Sequence, residues 1–122
     1  MKSNVLKSKH SLAVIFFICV FCFAVKPSYA TPPKSVDLAY DAKTQTLSVT
    51  INHFTLAKGM HYIKLVEIKK NGVSLSKNEY IAQPTDSVFT YTYKVQAVKG
   101  DILEVTASCN FWGHKTSTLT VL

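Results

Sequence analysis

Arginine is absent from the 122 residues of the chain, and glycine, proline and cysteine are scarce, with four, four and three residues. Without arginine forks or a basic cluster, the sequence lacks the usual means of binding nucleic acid phosphates, so we expect no nucleic acid partner. Beyond residue 30 the chain also lacks a phosphate-binding glycine loop, a nucleophile elbow and a Cys-x-x-Cys pair. The sequence therefore carries no signature of the enzyme classes that depend on those motifs.

A long hydrophobic run occurs only at the N-terminus. Three lysines lie within the first nine residues, and the segment from Leu12 to Val25 is almost continuously apolar. Ser28 and Ala30 are small residues at the positions that cleavage after Ala30 would require. This is the build of a secretory signal peptide, and about 14 apolar residues are fewer than the roughly 20 that span a bilayer. We predict a cleaved signal peptide over residues 1–30 and an exported domain, periplasmic or secreted, over residues 31–122. A retained signal segment would be its one contact with a membrane.

The predicted domain has a single cysteine, Cys109, so no disulfide can form within it. This is unusual for a small exported domain. The remaining thiol indicates pairing between chains, a reactive group or a metal ligand. Ten lysines against seven acidic residues give the domain a net charge of about +3, which is typical of a solvated surface. Apolar packing must therefore hold the core, and a bound metal could add to it.

Apolar and polar residues alternate with period two through most of the domain, and no segment has a helical period. Seven short alternating segments are separated by turn signals such as Asn71-Gly72. They span residues 36–40, 46–52, 61–70, 73–76, 88–95, 102–109 and 116–122. The apolar face of the third segment changes near residues 65 and 66, which predicts a β-bulge. We predict an all-β fold, an immunoglobulin-like β-sandwich of about seven strands in two sheets.

Four side chains of this predicted sandwich are candidate metal ligands. His53 is in phase with the inward positions of the second strand, His61 with those of the third, and Cys109 with those of the sixth. In an immunoglobulin-like sandwich the loop after the second strand and the loop between the last two strands lie at the same end, and His114 falls in the latter. Taken singly, these residues could be surface histidines and a buried small hydrophobe. Their convergence favours a metal site, because transition metals select imidazole and thiolate ligands.

Two of these segments resemble the motifs of a known family. His61-Tyr62-Ile63, with a histidine upstream and an Asn-Gly hairpin downstream, and Cys109-Asn110-Phe111-Trp112-Gly113 are similar to the two iron-binding motifs of desulfoferrodoxin and neelaredoxin, the superoxide reductases. The likeness extends from His53 to the C-terminus. It implies an immunoglobulin-like domain that binds one mononuclear, non-haem iron through four equatorial histidines and an axial cysteine, here Cys109. It also implies reduction of superoxide to hydrogen peroxide with an electron from an external donor protein.

The ligand set that this resemblance implies is incomplete in the chain. Phe54 stands where the family has proline, and the segment between the first two histidines is two residues longer. Trp112 occupies the place of the last family histidine, and His114 follows two residues later as its candidate replacement. No histidine lies near residues 32–34, where the family has its first ligand. Three histidines and one cysteine suit a four-coordinate site, which could hold zinc, copper or iron.

Three functions are consistent with these features. We expect first an exported metal-binding module, with iron as the metal implied by the resemblance and zinc or copper as alternatives. The second is an active superoxide reductase, whose partners would be superoxide and an electron-donor protein. The third is an interaction domain that has lost its metal, with Phe54, Phe111 and Trp112 forming an apolar binding patch at one end.

Overall fold

The structure, a computed structural model, describes residues 31–122 of the chain. These residues contain seven β-strands. The strands are β1 (Ser35–Asp41), β2 (Thr46–Asn52), β3 (Ile63–Lys70), β4 (Val73–Glu79), β5 (Val88–Lys94), β6 (Ile102–Cys109) and β7 (His114–Thr120). No helix in this part of the chain is long and apolar enough to cross a membrane. The predicted signal peptide lies outside the described residues.

The strands form two antiparallel sheets that pack face to face. One sheet has the order β1-β2-β5 and the other the order β4-β3-β6-β7. This arrangement confirms the predicted all-β, immunoglobulin-like sandwich. Strands β2 and β6 have the predicted bounds, whereas β7 begins at His114, two residues earlier than predicted. The connection between β6 and β7 is therefore only four residues long, residues 110–113.

Alternate residues of both sheets face the interior and form a continuous apolar core. The pattern is clearest in β2 and β6, where every second side chain is buried. The fully buried large side chains are Leu47, Val49, Ile51, Ile63, Val66, Ile68, Leu103 and Val105. Each contributes roughly 1.5–3 kcal/mol by leaving water. Residues 31–122 contain no disulfide, so apolar packing is the main source of stability, as predicted.

A β-bulge at the start of β3 changes which of its residues face inward. The register with β6 shifts between Ile63 and Leu65, so that Ile63 pairs with Cys109 while Leu65 pairs with Ser108. The extra residue turns Leu65 partly outward and places Val66 in the core. The sequence pattern indicated a change of face near residues 65 and 66, and the bulge that produces it lies slightly nearer the start of the strand.

Several loops meet at one end of the sandwich, which we call the site end: residues 53–62 after β2, residues 80–87 before β5 and residues 110–113 after β6. Main-chain and side-chain hydrogen bonds join them. Asn110 N donates to Tyr62 O at 3.0 Å, Tyr62 N donates to Asn110 Oδ1 at 2.9 Å, and His53 N donates to Ser87 O at 2.9 Å. The loops that the sequence placed together are therefore in direct contact.

Candidate metal centre

His53, His61 and Cys109 form one cluster at the site end. His53 directly follows β2, Cys109 ends β6, and His61 lies two residues before β3. Their ligand atoms all lie within 4.8 Å of one another, and His61 Nε2 is 3.0 Å from Cys109 Sγ. Two protein ligands at about 2.0–2.3 Å from one metal ion lie roughly 3–4 Å apart. The three side chains thus have the chemistry to bind a single ion, and their separations are close to those that such a site needs.

Gln83 holds His53 in one orientation and one tautomer. The Gln83 amide nitrogen donates to His53 O at 2.7 Å and to Thr85 O at 2.9 Å, so its Oε1 atom must be the acceptor in its other contacts. That oxygen accepts from His53 Nδ1 at 2.8 Å and from Ile63 N at 3.3 Å. His53 therefore carries a proton on Nδ1 and presents Nε2 to the cluster. Such a hydrogen bond to the remote ring nitrogen is the usual support of a metal-binding histidine.

Asn110 ties the loop that carries His61 to the end of β6. Its side chain accepts from Tyr62 N at 2.9 Å and donates to Met60 O at 2.8 Å. These two bonds flank His61 in the sequence and fix the main chain on both sides of it. Because Asn110 is the neighbour of Cys109, the same contacts hold the imidazole beside the thiol.

The environment of His61 favours its neutral, metal-binding form. The ring is partly buried, stacks on Phe111 with ring centroids 4.9 Å apart, and meets His53 edge-on at 4.7 Å. Burial lowers the pKa of His61 below its ordinary value, and repulsion from His53 lowers it further. Metal ions bind the neutral imidazole, so this shift reduces competition from protons.

His114, the fourth predicted ligand, lies outside this cluster. It is the first residue of β7, is exposed, and pairs with Ser108 of β6. Directly paired residues of antiparallel strands project from the same face of a sheet. Since Ser108 and Cys109 are consecutive, they face opposite sides, and His114 therefore projects from the outer face while Cys109 faces the interior. The structure thus brings three of the four predicted ligands together.

Thr31, the first residue that the structure describes, also reaches the cluster. Its hydroxyl oxygen lies 2.9 Å from His61 Nε2 and 3.9 Å from Cys109 Sγ. Its carbonyl oxygen lies 3.3 Å from His53 Nε2. Its main-chain nitrogen donates to Trp112 O at 3.0 Å.

Thr31 and Gln83 contact the cluster, and reasoning from the sequence missed both. Gln83 lies in a loop without periodicity, and nothing local shows that its side chain is buried. Thr31 carries one weak signal, namely that it directly follows the predicted cleavage site. Neither residue type is a typical transition-metal ligand, so a search for imidazole and thiolate passes over both.

Exposed aromatic residues surround the cluster. Phe54, Phe111 and Trp112 are all exposed and lie in the loops of the site end. Phe111 stacks on the candidate ligand His61. The three side chains that the sequence grouped as a binding patch are therefore accessible at one end of the domain.

A comparison with known protein families gives no match, and a comparison with curated proteins gives none either. Solved structures similar to this chain include the superoxide reductase (neelaredoxin) from Ignicoccus hospitalis, at 16% sequence identity over 76% of this chain and 82% of that chain, with a TM-score of 0.46. Two point variants of the same protein have 18% and 15% identity, with TM-scores of 0.47 and 0.44. They cover 76% and 75% of this chain and 82% of their own. The similarity is distant.

Proposed function

We propose that this protein is an exported metal-binding module that holds one metal ion between His53, His61 and Cys109. The observation that carries the proposal is the approach of two imidazoles and one thiol to within 4.8 Å at one end of the sandwich. Export is proposed from the N-terminal sequence, with its short apolar run and small residues before the cleavage site.

The donor set restricts the class of metal. Two imidazole nitrogens and a thiolate suit iron, zinc and copper, whereas calcium and magnesium prefer oxygen ligands. The cluster formed within residues 31–122 contains no carboxylate. Iron is the metal that we propose, supported by the resemblance of the Cys109 segment to an iron-binding motif. Zinc and copper are the alternatives that measurement would distinguish.

The surrounding residues prepare the site for an ion. Gln83 keeps the proton of His53 on Nδ1, so that Nε2 is free toward the cluster. Cys109 must lose its thiol proton to bind a metal, and the lowered pKa of His61 keeps that imidazole neutral. All three ligands are attached to the sandwich by hydrogen bonds or strand pairing. Little ordering is therefore needed when an ion enters, which favours tight binding.

The metal content of the exported protein tests this proposal. The full chain would be expressed with its own N-terminal segment, and the product purified without a tag or chelator, with its N-terminus identified by mass spectrometry. We expect about one metal ion per chain, lost in Cys109→Ser and kept in the control His114→Ala. Metal-free parent protein, or equal metal content in the parent and Cys109→Ser, would contradict the proposal.

Reduction of superoxide is the second candidate function, favoured by the thiol in the cluster and by the motif resemblance of residues 109–113. A ferrous ion held here would supply the one electron that superoxide needs, and with two protons the product is hydrogen peroxide. An external donor protein would have to restore that electron. Stopped-flow measurement of superoxide decay tests this function with the iron-loaded parent and Cys109→Ser. Decay at the same rate in both would exclude it.

A further inference from the structure

Three protein ligands would leave one position of a four-coordinate site open, and Thr31 lies beside all three ligand atoms. Its hydroxyl oxygen is 2.9 Å from His61 Nε2 and 3.9 Å from Cys109 Sγ. Those separations are close to the roughly 3–4 Å expected between two ligands of one ion. Its carbonyl oxygen is 3.3 Å from the third ligand atom, His53 Nε2. Every proposed ligand atom therefore has an oxygen of Thr31 nearby.

The contact between His53 and Thr31 indicates that a positive charge belongs in this space. Gln83 accepts the Nδ1 proton of His53, so the neutral ring presents a lone pair at Nε2. The atom facing it is a carbonyl oxygen of Thr31, which has no proton to donate. Two acceptors this close repel each other, and a metal ion bound beside them would offset that repulsion.

Main-chain contacts, rather than its side chain, hold Thr31 at the cluster. Its nitrogen donates to Trp112 O at 3.0 Å. The next residue, Pro32, packs so closely on Gly113 that a Cβ there would lie 2.8 Å from Pro32 N. Lys34 N then donates to the last residue of β2 at 2.7 Å. The N-terminal segment is thus fixed on both sides of the sandwich end, and the hydroxyl oxygen is positioned before any ion binds.

We propose that Thr31 supplies the fourth donor of the metal site through its hydroxyl oxygen. This inference rests on the proposed function, because it concerns the same ion. It also narrows the choice of metal: an oxygen donor beside two imidazoles and a thiolate favours iron(II) or zinc over copper(I), which prefers soft ligands alone. Cleavage after Ala30 would make Thr31 the first residue of the exported protein and would leave this oxygen in place.

Titration with Co²⁺ tests the role of Thr31, because the visible bands of bound Co²⁺ report both the donor atoms and the coordination number. The exported parent, Thr31→Val and Thr31→Ser would be compared, with the exposed Thr118→Val of β7 as a matched control. We expect Thr31→Val to weaken Co²⁺ binding about tenfold or more and to change the spectrum. Thr31→Ser and Thr118→Val should retain both the affinity and the spectrum of the parent.

The outcomes separate this inference from the proposed function. Equal affinity and identical spectra for the parent and Thr31→Val would overturn the role of Thr31 and leave the three-residue site intact. No binding of Co²⁺ by the parent would overturn both. Unfolding curves of the metal-free variants show whether each one is folded. Since Thr31 is exposed, we expect Thr31→Val to unfold at the same urea concentration as the parent.

Discussion

Replacing Gln83 by leucine should destabilise the metal-free protein strongly, although Gln83 lies in a loop. Its side chain is 4% exposed and makes four hydrogen bonds within the site end. Leucine fills a similar volume but can form none of them. The Nδ1 proton of His53 and the carbonyl oxygens of His53 and Thr85 would then lose their partner.

The size of the effect follows from those groups. Each buried polar group left without a partner costs about 1–3 kcal/mol. The bond from Ile63 N is long, at 3.3 Å, and contributes least. The apolar surface that leucine buries offsets part of the loss. We therefore expect the free energy of unfolding to fall by about 3–4 kcal/mol, a large share of the 5–15 kcal/mol typical of a domain.

Urea denaturation of the chelator-treated protein measures this change, provided that the slope of the transition is the same for parent and variant. The exposed Gln96 offers a matched control, and Gln96→Leu should shift the free energy of unfolding by less than about 0.5 kcal/mol. Metal affinity should also fall about 10–100-fold in Gln83→Leu, because His53 loses its oriented tautomer. A loss of stability below about 1 kcal/mol in Gln83→Leu would refute the hydrogen-bond network described above.

Three further predictions concern the fold. Gly113→Ala should lower the free energy of unfolding by about 2–3 kcal/mol, because φ is +108° and a Cβ would lie 2.8 Å from the main chain of Pro32. The control Gly59→Ala, in open space, should lower it by less than about 1 kcal/mol. Equal urea midpoints for the two variants would contradict this prediction. Leu103→Ala, at a fully buried position, should lower the free energy of unfolding by about 2–5 kcal/mol. The control Ile81→Ala, at a position that is 88% exposed, should leave it almost unchanged. Similar losses of stability in the two variants would argue against the assigned core. Burial raises the pKa of Tyr93. A hydrogen bond with the neighbouring Tyr80 and repulsion from it raise the pKa further. Because an unfolded tyrosine ionises near pH 10, the free energy of unfolding should fall as pH rises above about 10. The fall should be less steep in Tyr93→Phe. Parallel pH profiles of stability for the parent and Tyr93→Phe would exclude this cause.

Local alternation in the sequence is enough to determine most of the fold and the main part of the candidate site. A strand places every second side chain on the same face, so the period-two pattern locates the strands and identifies which residues face the core. His53 and Cys109 continue the inward positions of β2 and β6, and the two-sheet architecture brings the ends of those strands together. The convergence of these two residues with His61 was therefore predictable from phase and topology.

Contacts between residues distant in the sequence decided the rest. His114 leaves the cluster because β7 begins immediately after a four-residue connection, and its pairing with Ser108 turns it outward. Gln83 acquires its role only when its loop closes over His53, 30 residues earlier. Thr31 meets Cys109 across 78 residues. No local pattern encodes such a contact, because each depends on where two separately folded segments come to lie once the sheets have packed.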